Sequence, residues 1–404
     1  MKKKILKSSL LALFFVVIIV YQANSQTYQL GHKQITFTDP ARSNRSIPCE
    51  IYYPATTAGE STPFATGQFP VIVFGHGFIM ADPALYEYLW QEFAQLGYIF
   101  VFPTTESTMI FPTPNHLNFG LDLKFLNTQV KSENSVSASF FYGKIAPKSM
   151  IMGHSMGGKC TYIASANNTD IDAVVSFGAA MSDPPLGSAV DAMGEYAPYV
   201  VVPTLVVDAE FDCVVAATDG HKYIYDTLTT YCKTYVNIKG GGHCYFASSD
   251  ASNCETGEGS CSGSFTITRA QQNQTVLDLV VPYVNFMLKN NAAAGALFLN
   301  TLTTSTAITY ARNCTTSGDN VNYLNNKEDF KFIPNPAKNY IEITTEQMEL
   351  PAILTIYDIS GREMMNKVII NKTENISIEL IDAGSYFISI SNNSVMKTQM
   401  LIKE

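Results

Sequence analysis

The run Met150-Ile-Met-Gly-His-Ser-Met-Gly-Gly158 sets a serine inside Gly-x-Ser-x-Gly, between a short apolar stretch and a helix-forming one. A strand-to-helix turn of this kind raises the hydroxyl of Ser155 above the end of a sheet, and the glycines at 153 and 157 leave space for the chain to reverse there. A serine hydroxyl is a weak nucleophile until a base takes its proton and a carboxylate orients that base. The acid and then the base are expected later in the chain, each just past a strand. His243 stands behind three glycines after the apolar run that ends at Ile238, and is the expected base. His32 precedes the core, His76 and His154 sit inside turn motifs, His116 opens a helix and His221 lies early in one. Structural roles suit these five better, with His76 orienting its own loop.

The apolar run Thr204 to Val207 exits through Asp208-Ala-Glu-Phe-Asp212, three carboxylates within five residues. Asp212 lies farthest out, where it can reach across to the His243 loop, and is the expected acid. Asp208 and Glu210 remain alternatives, and each of the three could instead serve as a turn residue. Attack on a carbonyl develops an oxyanion that needs donors already in place. The backbone N–H groups of Met156, after the nucleophile, and of Phe78, in the loop Gly75-His-Gly-Phe78, are the expected pair. The Phe78 ring could also wall an acyl or aromatic group, or simply pack in the core.

The elements that must hold these residues alternate. Val71 to Phe74, Tyr98 to Phe102, Met150 to Met152, Ala173 to Phe177, Thr204 to Val207 and Lys233 to Ile238 read as buried strands, after two more at Gln34 to Thr38 and Ser46 to Tyr53. Leu85 to Leu96, Phe119 to Ser132, Gly157 to Ala166, Asp219 to Thr230 and Thr275 to Lys289 read as helices. Strand alternating with helix implies an α/β fold with a mostly parallel sheet covered on both faces, and ligands bind at the carboxyl ends of such strands. From about residue 290 the texture changes: Ala292 to Thr309 is uncharged and rich in Ala and Thr, and 315 to 329 is polar, so 291–329 reads as an extension and linker. Phe330 to Glu404 alternates short strand-like runs with turns and reads as a small all-β sandwich.

On Gly75-His-Gly-Phe78, Gly153-His-Ser-Met-Gly-Gly158, the Asp212 loop and His243, residues 26–290 resemble α/β-hydrolases of the group that contains dienelactone hydrolase-like, chlorophyllase-like and polyester hydrolase-like serine esterases. The resemblance implies the α/β-hydrolase fold, Ser155, Asp212 and His243 as catalytic residues, a small-molecule or polymeric ester substrate, and no cofactor or metal. Polyester hydrolases of this group usually carry a Trp in the loop after the strand that follows the nucleophile helix. Here that loop reads Phe177-Gly-Ala-Ala-Met-Ser-Asp-Pro-Pro185, and the single tryptophan, Trp90, falls on an earlier helix. The tail resembles a type A sorting domain of the type IX secretion system, on Phe332-Ile-Pro-Asn-Pro336, Ile356-Tyr-Asp-Ile-Ser-Gly-Arg362, Ala383-Gly-Ser-Tyr386 and the terminal Lys397 to Glu404. That implies the secretion machinery as a partner, and release or attachment at the cell surface.

Composition agrees with export. Lys2-Lys3-Lys4, the apolar run Leu10 to Val20 and Ala23-Asn24-Ser25 read as a signal peptide over 1–25. The apolar run is about 11 residues, short of the roughly 20 that a spanning helix needs. A formal net charge of −9 disfavours nucleic acid as a partner, and 46% hydrophobic with 15% charged residues lets the chain bury a large core. A soluble, monomeric protein, secreted or at the cell surface after passage through the periplasm, is expected. Eight cysteines suit an oxidising compartment. Cys213 with Cys232 and Cys254 with Cys261 are the expected disulfides, Cys160 a buried small hydrophobe, and Cys244 to Arg269 a disulfide-tied loop bordering the site. An ester hydrolase is the leading function; a peptidase or acyltransferase on the same three residues, or a surface protein that binds without turnover, are the alternatives.

Overall fold

In strand β4 (Phe69–Gly75), Val71 and Val73 pack into one apolar cluster while Ile72 and Phe74 pack into another. Successive side chains of a strand point to opposite faces, so a run that is apolar at every position needs cover on both sides. The computed structural model, which describes residues 27–107, 114–180, 195–215, 222–259, 265–314, 330–345, 350–358, 363–391 and 396–404, supplies that cover with helices.

The large sheet adds β1 (Gln29–Asp39), β2 (Arg45–Ala55), β3 (Gly59–Glu60), β5 (Ile99–Pro103), β6 (Ile145–His154), β7 (Ala173–Phe177), β8 (Thr204–Ala209), β9 (Cys232–Ile238) and β10 (Ile308–Cys314). Its order is β10-β9-β8-β7-β6-β4-β5-β2-β1-β3. The six strands from β9 to β5 run parallel, with antiparallel pairs β1/β2, β2/β5 and β9/β10 at the two edges. Helices α2 (His116–Glu133) and α3 (Met156–Ser165) cover one face through Phe119, Leu123 and Cys160. Helices α1 (Glu87–Gln95) and α6 (Arg269–Lys289) cover the other through Phe93, Val276, Leu279 and Val280. Short helices α4 (Lys222–Thr227) and α5 (Ser252–Glu258) lie between β8 and α6. This is the mostly parallel, doubly covered sheet expected from the alternation, and the α/β-hydrolase fold that the resemblance implies.

Helix α6 begins six residues before the expected Thr275. Thr268 accepts the Gln271 N–H while the Gln271 side chain takes the Thr268 N–H, a reciprocal cap that fixes the start. A larger difference follows it. Ala292–Thr304 forms helix α7, and β10 then pairs with β9 and closes the sheet, where a linker was expected. Alanine is the strongest helix former, so an uncharged Ala-rich stretch folds once Phe298 and Leu302 find the apolar cluster under α6. Residues 315–329 lie outside the described residues.

The cysteine pairing also differs from expectation. Cys232 bonds Cys314, stapling β9 to β10, and Cys244 bonds Cys254. Cys213 is disulfide-bonded, though not to Cys232, and Cys261 lies outside the described residues. Strand register decided the matter: Cys314 is the residue directly opposite Cys232 in the β9/β10 ladder. Cys160 is buried, as expected, and outside any disulfide its thiol donates to the His116 carbonyl at 3.2 Å.

The tail has its own core. Strands β11 (Lys331–Ile333), β12 (Tyr340–Thr344) and β15 (Thr373–Ser377) form one antiparallel sheet, and β13 (Ala352–Asp358), β14 (Glu363–Ile369), β16 (Gly384–Ser391) and β17 (Met396–Lys403) form another. Ile341, Ile343, Leu354, Ile356 and Ile388 are buried together within it, as a sandwich requires.

The Cys232–Cys314 bond closes a loop with a sequence separation of 82. Replacing both by serine should lower stability by about 2 to 4 kcal/mol through the freer unfolded chain. Thermal unfolding of the double variant checks this, and an unchanged midpoint would mean that the β9/β10 ladder holds without the bond.

Candidate active site

Ser155 sits at the junction of β6 and α3 with φ 55° and ψ −116°, a strained conformation for a residue with a side chain. Three backbone hydrogen bonds fix it there. Its N–H donates to the Phe177 carbonyl at 2.9 Å, and its carbonyl accepts from Lys159 at 3.0 Å and Ala180 at 2.9 Å. The turn is possible because backbone approaches backbone: a Cβ on Gly157 would come within 2.0 Å of the Gly75 carbonyl oxygen, and one on Gly153 within 2.5 Å of the Gly157 oxygen.

His243 Nδ1 and Asp212 Oδ2 are 2.6 Å apart, with both side chains 1% exposed. An ionised aspartate accepts only, so Nδ1 carries the proton and donates, leaving Nε2 as the basic nitrogen. Asp212 Oδ1 accepts from the N–H groups of Val214 at 3.1 Å and Val215 at 3.3 Å. The pair lies against the β7 exit that straps the serine. A Cβ on Gly178, whose φ is +44°, would stand 3.0 Å from both Asp212 Oδ2 and His243 Nδ1. Gly178 directly follows Phe177, whose carbonyl holds the Ser155 N–H, so Asp212 and His243 pack against the same turn.

The three carboxylates of this exit divide their work. Asp208 is buried and accepts the Tyr235 hydroxyl at 3.2 Å. Glu210 takes the Gly240 N–H at 2.8 Å, and beside it the Phe211 N–H donates to the Gly241 carbonyl at 2.9 Å, so the Asp212 and His243 loops are tied together. Asp212 alone of the three meets His243.

The loop Gly75-His-Gly-Phe78 lies against the serine turn, where the Gly157 N–H donates to the His76 carbonyl at 3.0 Å. The His76 ring nitrogens stand 2.7 Å from the Gly77 carbonyl and 2.9 Å from the Thr105 carbonyl. Burial pushes the His76 imidazole below its ordinary value, opposed by those carbonyls. His76 thus fastens its own loop, as expected. Met156 opens α3, where the first N–H groups of a helix have no partner within it. Phe78 is half-buried and packs its side chain against the core.

Two buried residues that carry no motif complete the setting. The Tyr86 hydroxyl accepts the Gly77 N–H at 2.9 Å and lies 2.9 Å from His154 Nδ1, which joins the Gly77 loop to the residue before Ser155. Gln272 donates to the Gly242 carbonyl at 2.9 Å and accepts the Gly242 N–H at 3.0 Å, clamping the peptide next to His243. Neither has a local signature, because each acts across more than 25 residues of chain or between separate elements. The segment after His243 is tied by the Cys244–Cys254 bond and by Arg269, which donates to the Cys244 carbonyl and pairs with Asp250 at 2.6 Å and Glu255 at 3.0 Å. His116 is the first residue of α2, while His221 and residues 181–194 lie outside the described residues. Trp90, on α1, stacks on Tyr52 with ring centroids 3.9 Å apart.

No curated relative matches the sequence. Residues 331–404 match the secretion system C-terminal sorting domain, which marks the protein for export and for secretion or attachment at the cell surface. Residues 47–261, just over half of the chain, match the PET hydrolase-like family, and Ser155, Asp212 and His243 all fall within that span. The chain is therefore a secreted hydrolase that belongs to the PET hydrolase-like family.

Proposed function

We propose that the protein hydrolyses carboxylic esters through Ser155, His243 and Asp212. The observation that carries this reading is the buried 2.6 Å contact of His243 with Asp212 beside the strained Ser155 turn. His243 Nε2 takes the proton of the Ser155 hydroxyl as Oγ adds to the ester carbonyl carbon. The N–H groups of Met156 and Phe78 receive the developing oxyanion. When the tetrahedral adduct collapses, the alcohol leaves with the proton from His243 and an acyl-serine remains. Water, activated by the same imidazole, then releases the acid. Asp212 stays ionised throughout and stabilises the imidazolium.

The family name suggests polyesters, but Trp90 stacks on Tyr52 and the loop after β7 contains no tryptophan. Soluble esters are therefore the better substrates. A series of p-nitrophenyl esters of increasing chain length beside a polyester film tests this, and faster release from the film than from every soluble ester would contradict it.

Ser155→Ala removes the nucleophile and no core volume, so the fold should persist while turnover falls by a factor on the order of 10⁶. Activity above a few per cent in clean protein would overturn the assignment of Ser155.

Asp212→Asn should cost about 10⁴-fold in kcat, since an amide no longer stabilises the imidazolium and favours the wrong tautomer. Asp208→Asn should cost far less, because its carboxylate meets Tyr235 and not His243. Steady-state kinetics of the two variants side by side decide between the two acids.

We also propose that catalysis and export occupy separate units, the first over about 26–290 with α7 and β10 added to it, the second over 330–404. Truncation near Asn320 should leave esterase activity unchanged while abolishing delivery to the surface. Assay of the purified truncation and fractionation of the producing cells test this, and an inactive truncation would make the tail part of the catalytic unit.

A further inference from the structure

Glu258 ends helix α5 and is 6% exposed, yet the proposed chemistry gives it no task. Its Oε1 accepts the Cys244 N–H at 3.1 Å. A Cβ on Gly242 would come within 2.4 Å of the same oxygen and 2.7 Å of the Phe265 ring. The carboxylate therefore lies in the hollow of the turn Gly242-His243-Cys244 and touches the residues on both sides of the base. Burial pushes the Glu258 carboxyl above the ordinary carboxylate range. The Cys244 N–H and the neighbouring His243 oppose that rise, whereas Asp212 adds to it. Gln272 grips the Gly242 peptide from α6 on the opposite flank.

We propose that Glu258 is a positioning residue, whose side-chain oxygen holds the Cys244 N–H and so fixes the direction in which the His243 imidazole points. The proposal rests on His243 being the base. A buried N–H that loses its acceptor turns to find another, and a shift of about 1 Å in a catalytic group can cost about 10²-fold in rate. Holding the N–H needs an oxygen at the right reach and not a charge, which separates this role from an electrostatic one.

Three variants test it in the full-length protein, with p-nitrophenyl acetate as substrate and hydrogen exchange at the Cys244 amide as a readout that needs no turnover. Glu258→Gln keeps the oxygen, Glu258→Asp keeps the charge but withdraws it by one methylene, and Glu258→Ala removes both. The disulfide and Arg269 still hold the loop in all three. The Ala and Asp variants should lose about 10- to 100-fold in kcat with KM within about threefold of wild type, and Gln should stay within about threefold in both. Exchange at Cys244 should accelerate in Ala and Asp and remain slow in Gln. Full kcat in the Ala variant, or a Gln variant as slow as Ala, would overturn the proposal. Should Ser155→Ala prove active, the esterase reading fails, and the exchange data still judge Glu258: equal exchange in all variants overturns its hold on the turn.

Discussion

The approach of backbone to backbone at the carboxyl ends of β4 and β6 governs the rest of the site. Gly75, Gly153 and Gly157 meet where any Cβ would collide with a peptide group, and that contact lets the chain leave β6 through Ser155 at a positive φ. A strained residue persists only where its surroundings over-determine it. Here the bonds to Phe177, Lys159 and Ala180 do so, and they attach the serine to the strand beside which Asp212 and His243 stand. The parallel sheet is thus a device for bringing four strand exits to one edge, and each exit delivers one part of the machinery proposed above: the Phe78 loop, Ser155, Asp212 and His243.

Side chains anchor the loops that the sheet alone would leave free. Tyr86 fastens the Gly77 loop to the serine turn, Glu210 fastens the Asp212 loop to the His243 loop, and Gln272 and Glu258 hold the peptides around His243. Tyr86, Gln272 and Glu258 are buried, where an unmade hydrogen bond is costly, so each is worth more as an anchor than it would be on the surface, whereas Glu210 makes its bond from an exposed position.

Local signals carried the strand and helix alternation and the serine turn, because each is written in residues adjacent in the chain, and the three glycines before His243 singled out the histidine that meets Asp212. Asp212 was singled out by its reach along the loop, and it is the carboxylate that meets His243. Tertiary placement decided what local signals missed. Tyr86 and Gln272 look like ordinary helix or turn residues until a distant loop comes to them. Ala292 to Thr304 looks like a linker because an Ala-rich segment has little amphipathic contrast, and β10 looks like more of the same because an edge strand, buried on few positions, lacks strict alternation. Cysteine pairing depends on which strands become neighbours, which explains why sequence proximity chose the wrong partners for Cys232 and Cys254.

The central claim is that Ser155 is an activated nucleophile, and chemical capture tests it most directly. A fluorophosphonate reacts with a serine whose proton is being withdrawn and not with an ordinary surface hydroxyl. Peptide mapping by mass spectrometry after treatment of the exported protein should find one adduct, on the peptide that contains Ser155, with labelling abolished in His243→Ala. An unlabelled wild-type protein, or an adduct on another residue, would contradict the account.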